Sequence, residues 1–325
     1  MKTPIKGVNL GGWLLLERWM TPGVFAGTSA RNEYELARVA GGRRAIYQHQ
    51  QTFMTEQDIA WLARVGIEAV RVPIGFWALQ GDYGYQSTRE RLDWLFKMAE
   101  KYQLKVLLCL HGAPGAQNNN DHSGSGRGKG TPGWYQAQNR RKTQLVLLEL
   151  AERYGKKLWG IELMNEPFVP SPYHYIVLRR WVRAVTKQLR RALPKEVKIV
   201  VSDAYMPRMW SGKVAGETLD IHHYQCFSPL HKRAQGVSEH LQLLQKSAKR
   251  YKTYAAQQPI IIGEWSATLP KNINGKQHGK VYCQAQLQAW SVAEAWFFWS
   301  YKTEQSGSWN FRELYKRGYF DGYLP

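Results

Sequence analysis

The sequence predicts an α/β fold, a (β/α)8 TIM barrel formed as a single domain over residues 1–325. Three observations predict it. Short apolar runs recur eight times, each followed by a longer stretch with helical periodicity. The runs are rich in Val, Ile, Leu and aromatics without strict alternation, as parallel strands covered on both faces require. The first run passes Gly11-Gly12 into Trp13-Leu14-Leu15-Leu16-Glu17, with no G-x-G-x-x-G opening a helix, which argues against an open doubly wound sheet.

The expected strands are residues 7–12, 69–74, 105–111, 158–166, 198–203, 219–224, 259–265 and 295–301. Thr55 caps an expected helix over 56–65 that carries Ile59, Leu62 and Ala63 on one face. Residues 89–102 place Leu92, Leu95, Phe96 and Ala99 at helical spacing, and 138–154, 173–193, 236–257 and 280–294 read similarly. The link from the fifth strand to the sixth leaves room for only a turn or two of helix. Two long segments stand out, 112–133 after the third strand and 21–55 after the first. Loops of such length in a compact domain are usually functional, and both are expected on the catalytic face.

The 45 Lys and Arg residues outnumber 25 Asp and Glu, a net charge of +20. An anionic glycan or surface is a partner such a charge suits. The basic pairs are scattered (Arg43-Arg44, Arg140-Arg141-Lys142, Arg179-Arg180, Arg190-Arg191, Lys249-Arg250), and no nucleic-acid-binding motif accompanies them, so specific nucleic-acid binding is not expected. Three cysteines (Cys109, Cys226, Cys283) make no disulfide framework, and Cys109 reads as a buried small hydrophobe. Met1-Lys2-Thr3-Pro4 leads into a strand without a charged n-region or apolar h-region, and no apolar run reaches membrane-spanning length. A cytoplasmic monomer is the expectation, unless the sequence is a trimmed secreted form. The 14 Trp and 18 Tyr serve either a large core or a sugar site, and we expect stacking on pyranose rings.

Polar residues cluster at the carboxyl ends of the strands, which in a barrel converge on one pocket. They are Arg71, His111, Asn165-Glu166, Ser202-Asp203, His222-His223-Tyr224, Glu264, and Trp299 with Tyr301. Glu166 and Glu264 fall on the fourth and seventh strands. Glycosidic cleavage needs such a pair, one carboxyl to protonate the leaving oxygen and one opposite it. The acid is expected to stay protonated near neutrality by burial and by its partner's charge, and Arg71 and Tyr224 are candidates to pair with Glu264. Asn165 is placed to hydrogen-bond a sugar hydroxyl. His111, His222 and His223 raise a metal site, but both glutamates are better explained by acid/base work; neither metal nor cofactor is expected. His223 is expected to face away from the pocket, and His49, His174 and His231 to lie on the surface.

The chain resembles glycoside hydrolase family 5, in its exo-β-1,3-glucanase branch. The residues that carry the resemblance are Gly7-Val-Asn-Leu-Gly-Gly-Trp13 with Glu17, Arg71-Val-Pro-Ile-Gly-Phe-Trp77, and His111-Gly-Ala-Pro-Gly-Ala-Gln-Asn118 with Asp121. They continue with Met164-Asn-Glu-Pro167, Asp220-Ile-His-His-Tyr-Gln225 with Phe227, Gly263-Glu-Trp-Ser-Ala267 and Phe298-Trp-Ser-Tyr-Lys-Thr-Glu304. The resemblance implies Glu166 as acid/base and Glu264 as nucleophile. It implies a polar shell of Arg71, His111, Asn165, His222 and Tyr224, a Trp299 platform, Glu17 binding a terminal glucose, and Asp121 helping to close that end. Asn274 is a weaker match.

Where the fungal exo-glucanases carry an aromatic that forms a clamp with a phenylalanine, this chain keeps Phe227 but has Asn120. Tyr301 also stands where tryptophan is common. The expected activity is retaining, exo-acting hydrolysis of a β-glucan, oligosaccharide or other β-glucoside, with carboxyl oxygens about 5 Å apart. A transglycosylase using the same residues, a non-catalytic glycan-binding barrel, and an anionic-surface or nucleic-acid binder are the alternatives.

Overall fold

The computed structural model describes residues 3–81, 84–126, 130–214 and 217–325. Met1, Lys2 and residues 127–129 of the long third-strand loop, all included in the expectations above, lie outside them. β1 (Ile5–Asn9) leads through an insert carrying α1 (Glu33–Leu36) and α2 (Gly42–Thr52) to α3 (Glu56–Arg64). Then follow β2 (Ala69–Gly75), α4 (Arg89–Lys101), β3 (Lys105–Gly112), α5 (Ala137–Tyr154), β4 (Gly160–Glu162) and α6 (Pro172–Ala192). After β5 (Lys198–Ser202) comes the short α7 (Pro207–Trp210) that the sequence requires there, then β6 (Thr218–His223), α8 (Pro229–Arg233) and α9 (Val237–Ala255). β7 (Ile260–Trp265), α10 (Gly275–Ala289), β8 (Ala295–Phe298) and α11 (Phe311–Lys316) complete the chain.

The eight strands are parallel and close in sequence order, with β8 pairing back onto β1. The fold is the expected (β/α)8 barrel. Local chemistry sets the helix ends: Thr55 and Asp58 form a reciprocal capping box on α3. Proline opens α6, α7 and α8, where a missing N–H costs nothing. α10 starts at Gly275 rather than 280 because Asn274 caps it, and that residue's side chain is thereby committed to the Gln277 N–H.

The barrel interior is built in layers with the two-residue period of a strand. Ala69, Leu107, Val200, Ile261, Ala295 and Phe297 form an apolar plug. Two residues further along β2, β3, β5 and β7 come Arg71, Cys109, Ser202 and Gly263, and this next layer is polar. The fully buried Asn9, Glu162 and Asp220 join it.

Glu264 follows Gly263 directly, and strict alternation would turn one of them outward. A register irregularity of β7 against β6 and β8 resolves this, pairing His222 with Glu264 after Ile221 with Ile262. Such a bulge re-aims a side chain. β4 is shorter than expected. It ends at Glu162, and Glu166 lies beyond it with φ of 43°, a left-handed conformation costly for a residue with a Cβ. Both glutamates are therefore aimed by departures from regular strand geometry.

Gly263 has no alternative in this arrangement. A Cβ there would lie 2.0 Å from Asp220 Oδ2, while its N–H donates to Asp220 Oδ1 at 2.7 Å. Gly263→Ala is expected to cost about 1–3 kcal/mol in equilibrium urea unfolding and to displace Glu264. A change within about 0.5 kcal/mol would show that Asp220 can yield.

Candidate active site

At the carboxyl end of the barrel a cavity of about 640 Å³ is lined by Glu17, Trp19, Asn120, His122, Glu166, Tyr205, His222, Tyr224, Phe227, Ser228, Glu264, Trp299 and Trp309. Beneath it sits Arg71, fully buried. Its Nε and one Nη2 hydrogen bond go to the two Glu162 oxygens (2.8 and 3.1 Å). Nη1 donates to Asn9 Oδ1 and Glu264 Oε1, both at 2.9 Å, and Nη2 also donates to Asn165 Oδ1 at 2.8 Å. All five guanidinium donors are thus matched by acceptors from three strands or their extensions, β1, β4 and β7. The Tyr224 hydroxyl donates to the other oxygen of Glu264 at 2.9 Å. Both expected partners of Glu264 are in place.

His222 lies between the two glutamates. Its Nδ1 is 2.6 Å from Glu166 Oε1 and 3.6 Å from Glu264 Oε2, and its Nε2 is 3.3 Å from Asp220 Oδ2. Burial alone would make the imidazole less basic, but Glu264, Asp220 and Glu166 together raise it well above its usual value. Burial likewise pushes Glu166 up, but the His222 hydrogen bond and charge outweigh it and hold the carboxyl at about 2. Glu264 is pushed up to about 7 by burial, against the pull of His222 and Arg71.

The expectation of a raised acid beside an ionised partner is therefore reversed. The physical reason is that His222 belongs to the carboxylate pair and not only to the sugar-binding shell. The protons belong to the Glu166–His222–Glu264 group as a whole. The nearest carboxylate oxygens of Glu166 and Glu264 lie within 4.8 Å.

Asn165 and His111 are fully buried and stand behind the pocket wall rather than on it. Asn165 links Arg71 to His111, whose Nε2 is 3.3 Å from Asn165 Nδ2. The His111 ring stacks under Trp299 at 5.4 Å and 13°. Burial, with the charges of His122 and Arg71, lowers His111 well below its usual value and keeps it neutral. Trp299 and Phe227 reach the cavity. Asp121 is exposed and does not line it, although its charge is felt at Glu17. Cys109 is buried as expected.

His223 faces away, bonding Tyr251 at 2.8 Å, so the three histidines do not converge. His174 and His231 are half-buried. His49, expected at the surface, is instead buried against the Gly12 carbonyl at 2.7 Å. Tyr301 sits outside the cavity and donates to Asp58 at 2.7 Å.

Sequence reasoning missed several residues. Glu162 was detectable as a charge inside an apolar strand two residues after Gly160. His122, Tyr205, Trp19 and Trp309 lie on loops and carry no periodic signal. His122 Nε2 lies 3.6 Å from Glu166 Oε2 and 2.8 and 3.3 Å from the amides of Asn118 and Asn120. The segment 21–55 contributes no lining residue. It backs the pocket instead: Asn32 bridges to Glu17, and Glu33 accepts from the Leu16 N–H at 2.9 Å.

A family model described as Cellulase (glycosyl hydrolase family 5) matches residues 30–305. The chain belongs to glycosyl hydrolase family 5. Among curated relatives, the probable glucan 1,3-beta-glucosidase A of Emericella nidulans is 32% identical, over 97% of this chain and 89% of the relative. The probable glucan 1,3-beta-glucosidase of Arthroderma benhamiae is 33% identical with the same coverage. Of solved structures, the rutinosidase from Aspergillus niger superposes with a TM-score of 0.80 at 18% identity, covering 98% of both chains. Endo-glycoceramidase II from Rhodococcus sp. gives 0.56 at 15% identity, over 95% of this chain and 75% of that one. At these identities the structures speak for the fold alone. The family and the curated relatives make this protein a glycoside hydrolase.

Among the described residues, two sets in this family 5 site have ligand-like spacing, Glu162–Asp220–His222 and Glu166–His222–Glu264. They do not suit a metal ion. Both Glu162 oxygens accept from Arg71, and a His222 ring facing carboxylates from both nitrogens needs protons there, not a metal.

Glu17 is pushed up to about 7 by burial, although Trp19 Nε1 donates to it at 2.8 Å. A carboxyl raised in the folded state favours folding below its unfolded pKa and loses that contribution as pH rises through the folded value. Glu17→Gln should therefore match wild type below pH ~4.5 and gain up to about 3 kcal/mol over it by pH ~8, in urea titrations across pH. A constant difference would place Glu17 in contact with bulk water. Arg71→Met is expected to cost about 3–5 kcal/mol, because it leaves buried carboxylates uncompensated. A loss below about 1 kcal/mol would mean that other groups hold them.

Proposed function

We propose that this family 5 enzyme is a retaining, exo-acting β-glucosidase acting on β-1,3-linked glucan or a related β-glucoside. The observation that carries the reading is the carboxylate pair with oxygens within 4.8 Å, at the close spacing of double-displacement enzymes and short of the roughly 6.5–9.5 Å that inverting enzymes keep. The curated relatives named glucan 1,3-beta-glucosidases support the linkage.

In this reading Glu264, oriented by Arg71 and Tyr224, attacks the anomeric carbon. Glu166 delivers a proton to the departing oxygen. The proton stands on His222, 2.6 Å from Glu166 Oε1, and crosses that hydrogen bond as the sugar seals the cavity from water. Glu166 then takes a proton from the incoming water, which releases the sugar with the anomeric configuration retained.

Trp299 supplies the platform beneath the reacting ring. Glu17, buried at the cavity wall, accepts from hydroxyls of a terminal glucose and supports exo action. On the leaving side Phe227 stacks with Trp309 at 6.1 Å and 26°, so an aromatic surface exists there without residue 120.

Glu264→Ala is expected to lower kcat roughly 10⁴-fold or more on an aryl β-glucoside. Azide should restore turnover and yield the α-glucosyl azide, whereas Glu166→Ala with azide should yield the β-product. A folded Glu264→Ala protein that azide does not rescue would remove Glu264 as nucleophile. Following products from β-1,3-, β-1,4-, β-1,6- and β-1,2-linked gluco-oligosaccharides tests the rest. Single glucose units support exo hydrolysis, longer released fragments contradict exo action, and elongated products reveal transfer.

A further inference from the structure

Exposed apolar side chains are not spread evenly over this molecule. Among the described residues eleven large ones are exposed, and seven of these follow β4, β5 or β6 at the carboxyl end of the barrel. Phe168, Tyr173 and Ile176 come after β4, Tyr205 and Met209 after β5. Phe227 and Leu230 come after β6, and Leu230 sits on α8, a helix with no buried residue. The three strands are neighbours in the barrel, so their loops adjoin. Tyr175, at the start of α6, donates through its hydroxyl to the Met209 carbonyl at 2.8 Å, and Tyr205 and Phe227 line one cavity, the active site. The apolar face therefore borders the catalytic mouth.

Hydrophobes exposed singly need no explanation, but a group around one opening does. Their chemistry narrows the partner. Isoleucine, methionine and leucine offer a sugar neither a stacking face nor a hydrogen bond, so a longer glycan does not account for Ile176, Met209 and Leu230. Tyr173 and Tyr205 join an apolar ring to a polar tip, which suits the headgroup layer of a membrane. The charges on the same segments are of one sign. Residues 168–178, 204–210 and 226–235 contain no Asp or Glu. They do contain Arg208 beside Met209, and Lys232 and Arg233 close to Leu230, all exposed. Among the described residues none of these three cations has a carboxylate partner. Apolar side chains that insert, beside cations that meet anionic headgroups, are the two contributions to binding at a lipid surface. The net charge of +20 draws the whole chain towards such a surface, and the apolar face sets which way it lands.

We infer that this face docks the enzyme on an anionic lipid bilayer, with Met209 and Leu230 entering the acyl boundary and Arg208, Lys232 and Arg233 meeting the headgroups. The active-site mouth then opens towards the membrane. The docking requires no particular linkage or leaving group in the active site.

The full chain is sedimented, at physiological ionic strength, with vesicles of phosphatidylcholine alone and of phosphatidylcholine and phosphatidylglycerol in equal parts. Binding to the mixed vesicles is expected. M209S/L230S and K232E/R233E should each weaken it roughly ten-fold or more. K249E/R250E, the same change of charge near the far end of α9, should alter it by less than about two-fold. All these side chains lie outside the catalytic cavity, so hydrolysis of an aryl β-glucoside without vesicles should be unchanged in every variant. Equal losses in K232E/R233E and K249E/R250E, with M209S/L230S binding like wild type, would reveal attraction by charge alone and overturn the inference. Absence of binding to the mixed vesicles overturns it as well. In that event a KM raised by M209S/L230S for an alkyl but not an aryl β-glucoside assigns the face to an apolar aglycone, and a wild-type dimer lost in the same variant assigns it to a second copy of the chain.

Discussion

The site depends on one guanidinium. Arg71 is buried at the centre of the barrel mouth, and each of its five N–H donors meets an acceptor: two on Glu162 and one each on Asn9, Asn165 and Glu264. A buried cation is tolerated only when it is paired and hydrogen-bonded, and Arg71 meets that condition by joining strands far apart in sequence. The consequence reaches beyond charge balance. Glu264 is fixed at one oxygen by Arg71 and at the other by Tyr224, so its carboxylate cannot rotate freely. Asn165 passes the same constraint to His111 and so to the Trp299 ring. A lysine in place of Arg71 has three donors on one point and does not reproduce this fork.

Regular strands do not suffice to aim the two glutamates. Glu264 owes its inward direction to the bulge at Gly263, and Glu166 to a left-handed backbone beyond the end of β4. Neither conformation is favourable by itself. Each persists because neighbours over-determine it. Asp220 accepts from the Gly263 N–H, and Asn118 donates to the Glu166 carbonyl at 3.0 Å. The strain sits at the residues the chemistry requires, while the apolar plug below remains an ordinary packed core.

The barrel was legible in the sequence because parallel strands buried on both faces write themselves as apolar runs, and the strand ends named most of the site. What the sequence concealed was nonlocal. Glu162 reads as part of a strand, and only the fold shows both of its oxygens on Arg71. His222 was recognised as polar shell, yet its place between the two carboxylates inverts their expected acidities, a result that depends on distances. Trp19, Trp309, Tyr205 and His122 lie on loops whose paths follow no periodicity. His49 reads as a surface residue on a polar helix, but the fold turns it onto the Gly12 carbonyl. The tryptophans divide as well: Trp13, Trp77, Trp134, Trp210, Trp265 and Trp290 are core, and only Trp19, Trp299 and Trp309 line the active-site cavity.

Asn120 shows how one departure from the family pattern changes its surroundings. An aromatic there would be an apolar wall; the asparagine amide instead lies 3.3 Å from His122 Nε2, and Asn118 holds the same nitrogen at 2.8 Å. His122 in turn lies 3.6 Å from Glu166 Oε2, on the oxygen that His222 does not contact. Glu166 thereby has an imidazole beside each of its oxygens, and the hydrogen bond and charge of His222 hold its carboxyl low. In the proposed reaction the acid becomes competent only when a bound sugar displaces water and the proton returns from His222. Substrate binding and acid strength are then one event, and residue 120, as asparagine, places a polar amide against His122 where an aromatic would offer a stacking surface.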